Sequence, residues 1–311
     1  MNDRAQSSFP RIAITGASGN LGIALCQCLG EYYDIIAISH TRTIPVQLAA
    51  FRVKQDLTDR QRCDAMLDNL KPQAVIHTAA LSDPNYCELN KTHSKVLNWD
   101  LAKHLAQSCA ERLIGFYFTS TDLVFDGSEG NYCEQDAINP LNTYGEHKAL
   151  AEEWIQMQHP DAVIFRLPWM FGHYLLGDNE LSRWLDQLQT GQPIWGFADE
   201  YRFAVSYGIA AKGITQLVQR HEQEGSGRLP GDLYHLGGIE TVSRLFTLQQ
   251  VAQLLKIGDN LIVGKKQREI EMPARRPADV SLDSRKARSA GFKSPFFRDM
   301  LRAELSWLEA V

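Results

Sequence analysis

No stretch of the 311 residues approaches the roughly 20 consecutive apolar positions that a membrane-crossing helix needs. The first eight residues are polar and lack the apolar heart of a secretory signal. No membrane partner is expected. Cysteine pairing is also missing. Cys26, Cys28, Cys63, Cys87, Cys109 and Cys133 form no C-x-x-C pair and no metal-ligand spacing. They read as free thiols in a reducing compartment, so a cytoplasmic protein without a metal is expected. Positive charge is not in excess. Lys and Arg total 32 against 37 Asp and Glu, a net charge of −5. That excludes a nucleic-acid partner gathered by bulk electrostatics, but permits a nucleotide held at a local positive site. Internal repeats and low-complexity tracts are absent as well.

What is present begins with a short apolar run over 12–15, then Gly16-Ala17-Ser18-Gly19-Asn20-Leu21-Gly22, then a helical pattern. A strand, a glycine turn and a helix form the context of a dinucleotide-binding fingerprint. The glycines permit a tight turn and let backbone N–H groups approach a pyrophosphate at the positive end of a helix. A second strand over 35–38 leads into Ser39, His40, Thr41 and Arg42, with no carboxylate between Ile35 and Lys54. Arginine suits the 2′-phosphate of NADP, where an acid would bind the ribose hydroxyl of NAD. NADP(H) is therefore the preferred cofactor and NAD(H) the alternative, with a merely solvated Arg42 also open. Asp56-Leu57-Thr58-Asp59 ends a third short strand and is expected to cap the helix that follows. Residues 74–80 read as a buried strand running into small Ala79 and Ala80. His77, inside that run, reads as a core histidine.

Strand-like segments continue to 115–121 and alternate with helices, the pattern of a parallel doubly wound sheet. Ligands of such sheets bind beyond the carboxyl ends of the strands. There stand Ser120, Thr121 and Asp122, and after them Tyr144 and Lys148. On a helix, positions four apart share a face. A phenol beside an ammonium is a proton donor, and the positive charge is expected to favour the phenolate. Reduction of a carbonyl needs such a donor.

Ser120-Thr121-Asp122-Leu123-Val124-Phe125-Asp126-Gly127 and Pro140-Leu141-Asn142-Thr143-Tyr144-Gly145 with Lys148 resemble signatures of the dTDP-4-dehydrorhamnose reductases. These form a branch of the extended short-chain dehydrogenase/reductases that also holds the methionine adenosyltransferase β-subunit. Further likenesses at 166–172, 234–238 and 276–283 extend the resemblance over nearly the whole chain. The resemblance implies an α/β fold: a Rossmann-type doubly wound parallel sheet with a smaller C-terminal substrate-binding lobe. The cofactor domain is expected over 9–168, rejoined by 203–236, and the substrate lobe over 169–202 and 237–311. The resemblance also implies catalysis by Thr121, Tyr144 and Lys148. It places the cofactor on Gly16, Ser18, Gly19, Asn20, Leu21, Gly22, Arg42, Asp56, Leu57, Ala79, Ala80, Tyr144 and Lys148. A nucleotide sugar would meet Ser120, Thr121, Asp122, Trp169 and Arg276, and a homodimer is a further expectation.

For Trp169 a core role and a place under the sugar are both open, and for Asn98 a brace and a surface cap are. Ala24 stands where some relatives have a metal-linked glutamate, so no metal is expected. Leu123 removes the second carboxylate that 4,6-dehydratases use, which favours reduction over elimination. A regulatory, non-catalytic role and a nucleotide-sugar epimerase are the alternatives. A polar loop is expected over 222–227.

Overall fold

The computed structural model describes residues 9–172, 179–224 and 232–306. Six strands in chain order, β1 (Arg11–Thr15), β2 (Asp34–Ser39), β3 (Phe51–Lys54), β4 (Ala74–His77), β5 (Gly115–Thr121) and β6 (Val163–Leu167), join a seventh, Leu233–His235, in one sheet. The spatial order is β3-β2-β1-β4-β5-β6 and then the seventh strand, with every neighbouring pair parallel. This is the Rossmann-type doubly wound arrangement.

Alternation along the strands builds two cores, because successive side chains point to opposite faces. Ile12 and Ile14 of β1, Tyr117 of β5 and Phe165 of β6 enter one core, with the helices Asn20–Leu29 and Tyr207–Glu224. Ala13, Phe116, Phe118 and Ile164 enter the other, with the helices Arg60–Leu70 and Leu101–Glu111. Burial on both faces explains why these strands read as unbroken apolar runs. Asp59 caps the helix Arg60–Leu70 by accepting from the Arg62 N–H, as its sequence position implies.

The chain runs outward from β1 to β3, then returns across β1 to begin β4 on its other side. That reversal opens a crevice at the carboxyl ends of β1 and β4. Outside the sheet, the helix Glu180–Gln189, the parallel pair Ile194–Phe197 with Ile262–Lys265, and the helix Arg244–Leu255 pack beyond the same end. The expected polar loop over 222–227 is a helix as far as Glu224, and Gly225, Ser226 and Gly227 fall outside the described residues. Glu222 is part of the packing, since its carboxylate accepts from the Tyr33 phenol at 2.6 Å. No helix among the described residues is long and apolar enough to cross a membrane.

Phe165 is fully buried, and its ring stacks on Tyr117 with centroids 6.4 Å apart. Phe165→Ala is expected to destabilise the fold by about 3–5 kcal/mol, read as a lowered thermal midpoint.

Candidate active site

The glycine turn is shaped by contacts that no side chain would survive. Gly16 has φ +64°, and a Cβ there would lie 2.7 Å from the Ala79 nitrogen. A Cβ on Gly22 would lie 2.3 Å from the Gly16 carbonyl oxygen, so the helix Asn20–Leu29 seats directly on the turn. Gly19, its N-cap, offers no capping side chain, and the first turn carries no acid. Its first N–H groups have no intrahelical partners and point at the crevice with the positive end of the helix dipole.

A cleft of about 550 Å³ follows this edge. Gly16, Ser18, Gly19, Asn20, Leu21 and Gly22 line it from the turn, and exposed Arg42 from the loop after β2. Asp56 and Leu57 line it beyond β3, Ala79 and Ala80 beyond β4, and Tyr144 and Lys148 from the far wall. The β4 loop is held by Thr15, whose hydroxyl oxygen accepts from the Thr78 and Ala79 N–H groups at 3.2 and 3.3 Å. With its lone pairs so occupied, that hydroxyl donates to His77 Nδ1 at 2.7 Å. Burial, with Lys148 nearby, pushes His77 down to about 3, so it is neutral. The expected core histidine is thus only half satisfied: its Nε2 is buried without a hydrogen-bond partner among the described residues.

The helix Thr143–Gln158 carries Tyr144 and Lys148. Asn142 caps it, accepting from the Gly145 N–H at 3.0 Å and donating to the Arg275 carbonyl at 3.1 Å. Glu88 accepts from the Thr143 N–H at 2.9 Å. A Cβ on Gly145 would sit 2.1 Å from the Leu123 carbonyl oxygen, so only glycine lets this helix dock against the end of β5. The docking sets Tyr144 beside Thr121, whose hydroxyl donates to Asp122 Oδ1 at 3.1 Å and accepts from the Leu123 N–H at 3.2 Å. Ser120 lines the cleft too, and its buried hydroxyl has no hydrogen-bond partner among the described residues.

The electrostatics differ from the sequence expectation. Burial pushes the Tyr144 phenol above its ordinary range, the Asp122 carboxylate adds to this, and Thr121 opposes it. Lys148 does not acidify it. Burial instead pushes Lys148 itself down to about 7, opposed by Glu152. The Lys148 ammonium lies 3.9 Å from the centre of the Phe118 ring. Desolvation outweighs the neighbouring charge here, leaving a phenol that keeps its proton beside a lysine balanced near neutrality.

A second cleft of about 510 Å³ meets the first at Asn20, Ser120, Tyr144 and Tyr207, and contains Thr121, Asp122, Trp169 and Arg276. It holds charged residues that the sequence did not single out. Arg202 Nε lies 3.2 Å from Asp122 Oδ2, and its other end lies 3.2 Å from Glu200 Oε1. Arg244 pairs with Glu180, lies 3.8 Å from Glu200, and covers the Trp169 ring at 3.9 Å. Trp169, half-buried, donates to Glu180 at 2.9 Å and packs on Phe171 and Trp184, which meets the core role in part. Burial pushes Asp122 up to about 6, with Arg202 opposing. Arg276 has no hydrogen-bond or ion-pair partner among the described residues, and burial lowers its pKa. Beyond it a third cleft of about 440 Å³ is lined by Trp184, Trp195, Phe197 and Met272, and shares Arg244 and Arg276 with the second. Among the described residues no group of three or more His, Cys, Asp or Glu suits a metal ion.

Asn98 proves to be the brace. It is buried in a wide helical turn, Val96–Asp100, of the kind that often marks functional sites. It accepts from the Leu81 N–H at 2.9 Å and donates to the Leu81 carbonyl at 3.0 Å and to Ser94 Oγ at 3.1 Å. Ser94 in turn bonds His147 Nδ1 at 2.9 Å, which joins the loop after β4 to the Tyr144 helix.

The RmlD substrate binding domain family matches residues 10–309. A curated relative, the dTDP-4-dehydrorhamnose reductase of Aggregatibacter actinomycetemcomitans, is 27% identical over 291 residues, covering 90% of this chain and 92% of its own. Methionine adenosyltransferase 2 subunit beta of Danio rerio is 24% identical over 308 residues, covering 97% and 92%. Among solved structures, dTDP-4-dehydrorhamnose reductase from Bacillus anthracis str. Ames, in complex with NADP, matches with TM-score 0.83 at 23% identity, covering 96% of this chain and 99% of that one.

Asn98→Ala would leave the Leu81 N–H unpaired and its carbonyl with only the Cys87 thiol at 3.3 Å. It is expected to destabilise the protein by about 1–3 kcal/mol, measured by thermal denaturation.

Proposed function

The chain belongs to the RmlD substrate binding domain family, and on that footing we propose that it reduces a nucleotide-linked 4-keto-6-deoxysugar with NADPH. The observation that carries this reading is the junction of the first two clefts, where Tyr144 and Ser120 line both. A phenol that keeps its proton, next to an unpartnered buried hydroxyl, suits a carbonyl oxygen arriving from the charged side.

The first cleft fits a dinucleotide: the crowding at Gly16 and Gly22 leaves bare backbone at a helix N-terminus. The first-turn N–H groups would hold the pyrophosphate, Asp56 and Leu57 would flank the adenine, and Arg42 with Ser39 and Thr41 would take the 2′-phosphate. NAD(H) would forgo only that last contact. Ala79, Ala80 and Lys148 would border the nicotinamide ribose, and bound cofactor supplies the hydride. Thr121 and Ser120 orient the keto oxygen, and Tyr144 gives it a proton. Arg276, without a hydrogen-bond or ion-pair partner among the described residues, would receive the diphosphate. Trp169 would border the sugar, and the aromatic third cleft would hold the nucleoside. In this division residues 9–168 and 203–236 serve the cofactor, and 169–202 with 237–311 serve the sugar nucleotide.

A second reading, a cofactor-binding regulatory subunit, draws on the likeness to the Danio rerio subunit. Absorbance of the reduced nicotinamide with NADPH and dTDP-4-dehydrorhamnose separates the two. Turnover is expected, and Tyr144→Phe is expected to lower it by about 10²–10⁴-fold while NADPH still binds. Bound NADPH without turnover of this sugar, or of other nucleotide-linked keto sugars, would favour the regulatory reading. Arg42→Ala is expected to reduce the preference for NADPH over NADH by about tenfold, the loss of one charge-assisted contact, seen in the ratio of kcat/KM values.

A further inference from the structure

The helix of Tyr144 and Lys148 carries a third ionisable group on the same face. Tyr144, Lys148 and Glu152 stand at intervals of four, and all three are buried. Glu152 lines neither of the two clefts that Tyr144 borders. Its carboxylate is held by a fork from Arg166 on β6: Nε at 3.1 Å from both oxygens and the terminal nitrogen at 2.7 Å from Oε2. The other Arg166 nitrogen faces His235 Nε2 at 3.2 Å. That nitrogen must accept, so His235 donates from Nδ1 to the Tyr132 carbonyl at 3.0 Å. Burial keeps His235 neutral, pushing it down to about 3.

The charges around Lys148 can be taken element by element. From β4 comes His77, neutral through burial. From β5 comes the Phe118 ring, and from the turn after it Asp122, engaged by Arg202. The helix itself adds the Tyr144 phenol, His147, whose pKa burial lowers, and Glu152. From β6 comes Arg166, and behind it His235. Glu152 is the acid next along the helix face from Lys148, and its charge opposes the desolvation of the ammonium. Stability gives no reason for such a pair, since buried ion pairs can commonly be replaced by apolar groups without loss.

We propose that the Glu152–Arg166 pair is a positioning device for Lys148: the buried carboxylate one turn further along the same helix face acts on the lysine, and Arg166, forked onto that carboxylate, limits its pull. This rests on the reading of Tyr144 and Lys148 as the reducing pair. Glu152 and Arg166 touch neither cofactor nor sugar in it and act through the lysine alone.

NMR titration of the full chain carrying isotope-labelled lysine tests this directly, with the Lys148 signal assigned by its loss in Lys148→Met. The native midpoint is expected near pH about 7. In Glu152→Gln it is expected to fall by about one pH unit, the effect of removing a close opposite charge. Arg166→Met should move it upward. Each single variant strands a buried charge and endangers folding, so Glu152→Gln/Arg166→Met, which removes both, is measured as well. The expected order from lowest to highest is Glu152→Gln, the double variant, native, Arg166→Met. Coincident midpoints, or Glu152→Gln and Arg166→Met moving the same way, would overturn the proposal, and the double variant matching the native protein would show that the pair exerts no net pull. NADPH titrations across the same pH range separate the two layers of inference. Affinity that weakens as pH rises through each variant's own midpoint supports the coupling to function. Affinity indifferent to those midpoints would overturn the reading of Lys148 as a cofactor ligand, whatever the order of the NMR midpoints.

Discussion

Burial of the parallel sheet on both faces constrains everything else in this protein. Strands such as β4 and β5 are sealed between two cores, so neither face can present polar chemistry. What remains is the carboxyl edge, where β1 and β4 part and the chain reverses direction. The glycine turn, the Thr15–His77 anchor, the Ser120–Thr121–Asp122 end of β5 and the Tyr144 helix all gather along that line. Each is fixed by a contact with little slack: Gly16 on Ala79, Gly22 on Gly16, Gly145 on Leu123. Rigid placement of this kind is what holding two reactants in register demands.

Desolvation then sets the character of the groups so placed. Tyr144, Lys148, Asp122 and His77 lie in surroundings that disfavour charge, and each shifts toward its neutral form. The substrate side differs in kind. Arg202, Arg244, Glu180 and Glu200 alternate in sign, so that buried charges are matched by neighbours, and Arg276 has no ion-pair partner among the described residues. A reaction centre where burial weakens charge, beside an anchoring region of paired charges, is a sound division of labour. A proton donor works best when its charge changes little before reaction, whereas a diphosphate needs fixed cations.

Legibility in the sequence followed the range of the interactions. The turn from Gly16 to Gly22 and the spacing of Tyr144 and Lys148 depend on neighbours within a turn or two, so their roles could be read from order alone. The strands were legible because double burial writes itself as an apolar run. Glu200, Arg202 and Arg244 were not, since an arginine in a loop looks alike whether solvated or ion-paired across the fold. Asn98 was ambiguous for the same reason: its partners, Leu81 and Ser94, are fixed by a wide helical turn that no local pattern announces. The Glu222 segment, read as a loop from its polarity, is the last turn of a long helix, and one of its acids meets Tyr33.

The amino-acid sequence by itself determined the alternation of strand and helix, the glycine turn and the spacing of phenol and lysine, because each is set by backbone geometry and side-chain periodicity over a few residues. Only the tertiary structure decided how those groups ionise. Proton affinity depends on what surrounds a group on every side, and those surroundings come from strands and loops far apart in the chain. Thus the lysine expected to sharpen the acidity of Tyr144 is itself pushed toward its neutral form by burial, opposed by Glu152 on the same helix, which Arg166 from a neighbouring strand engages.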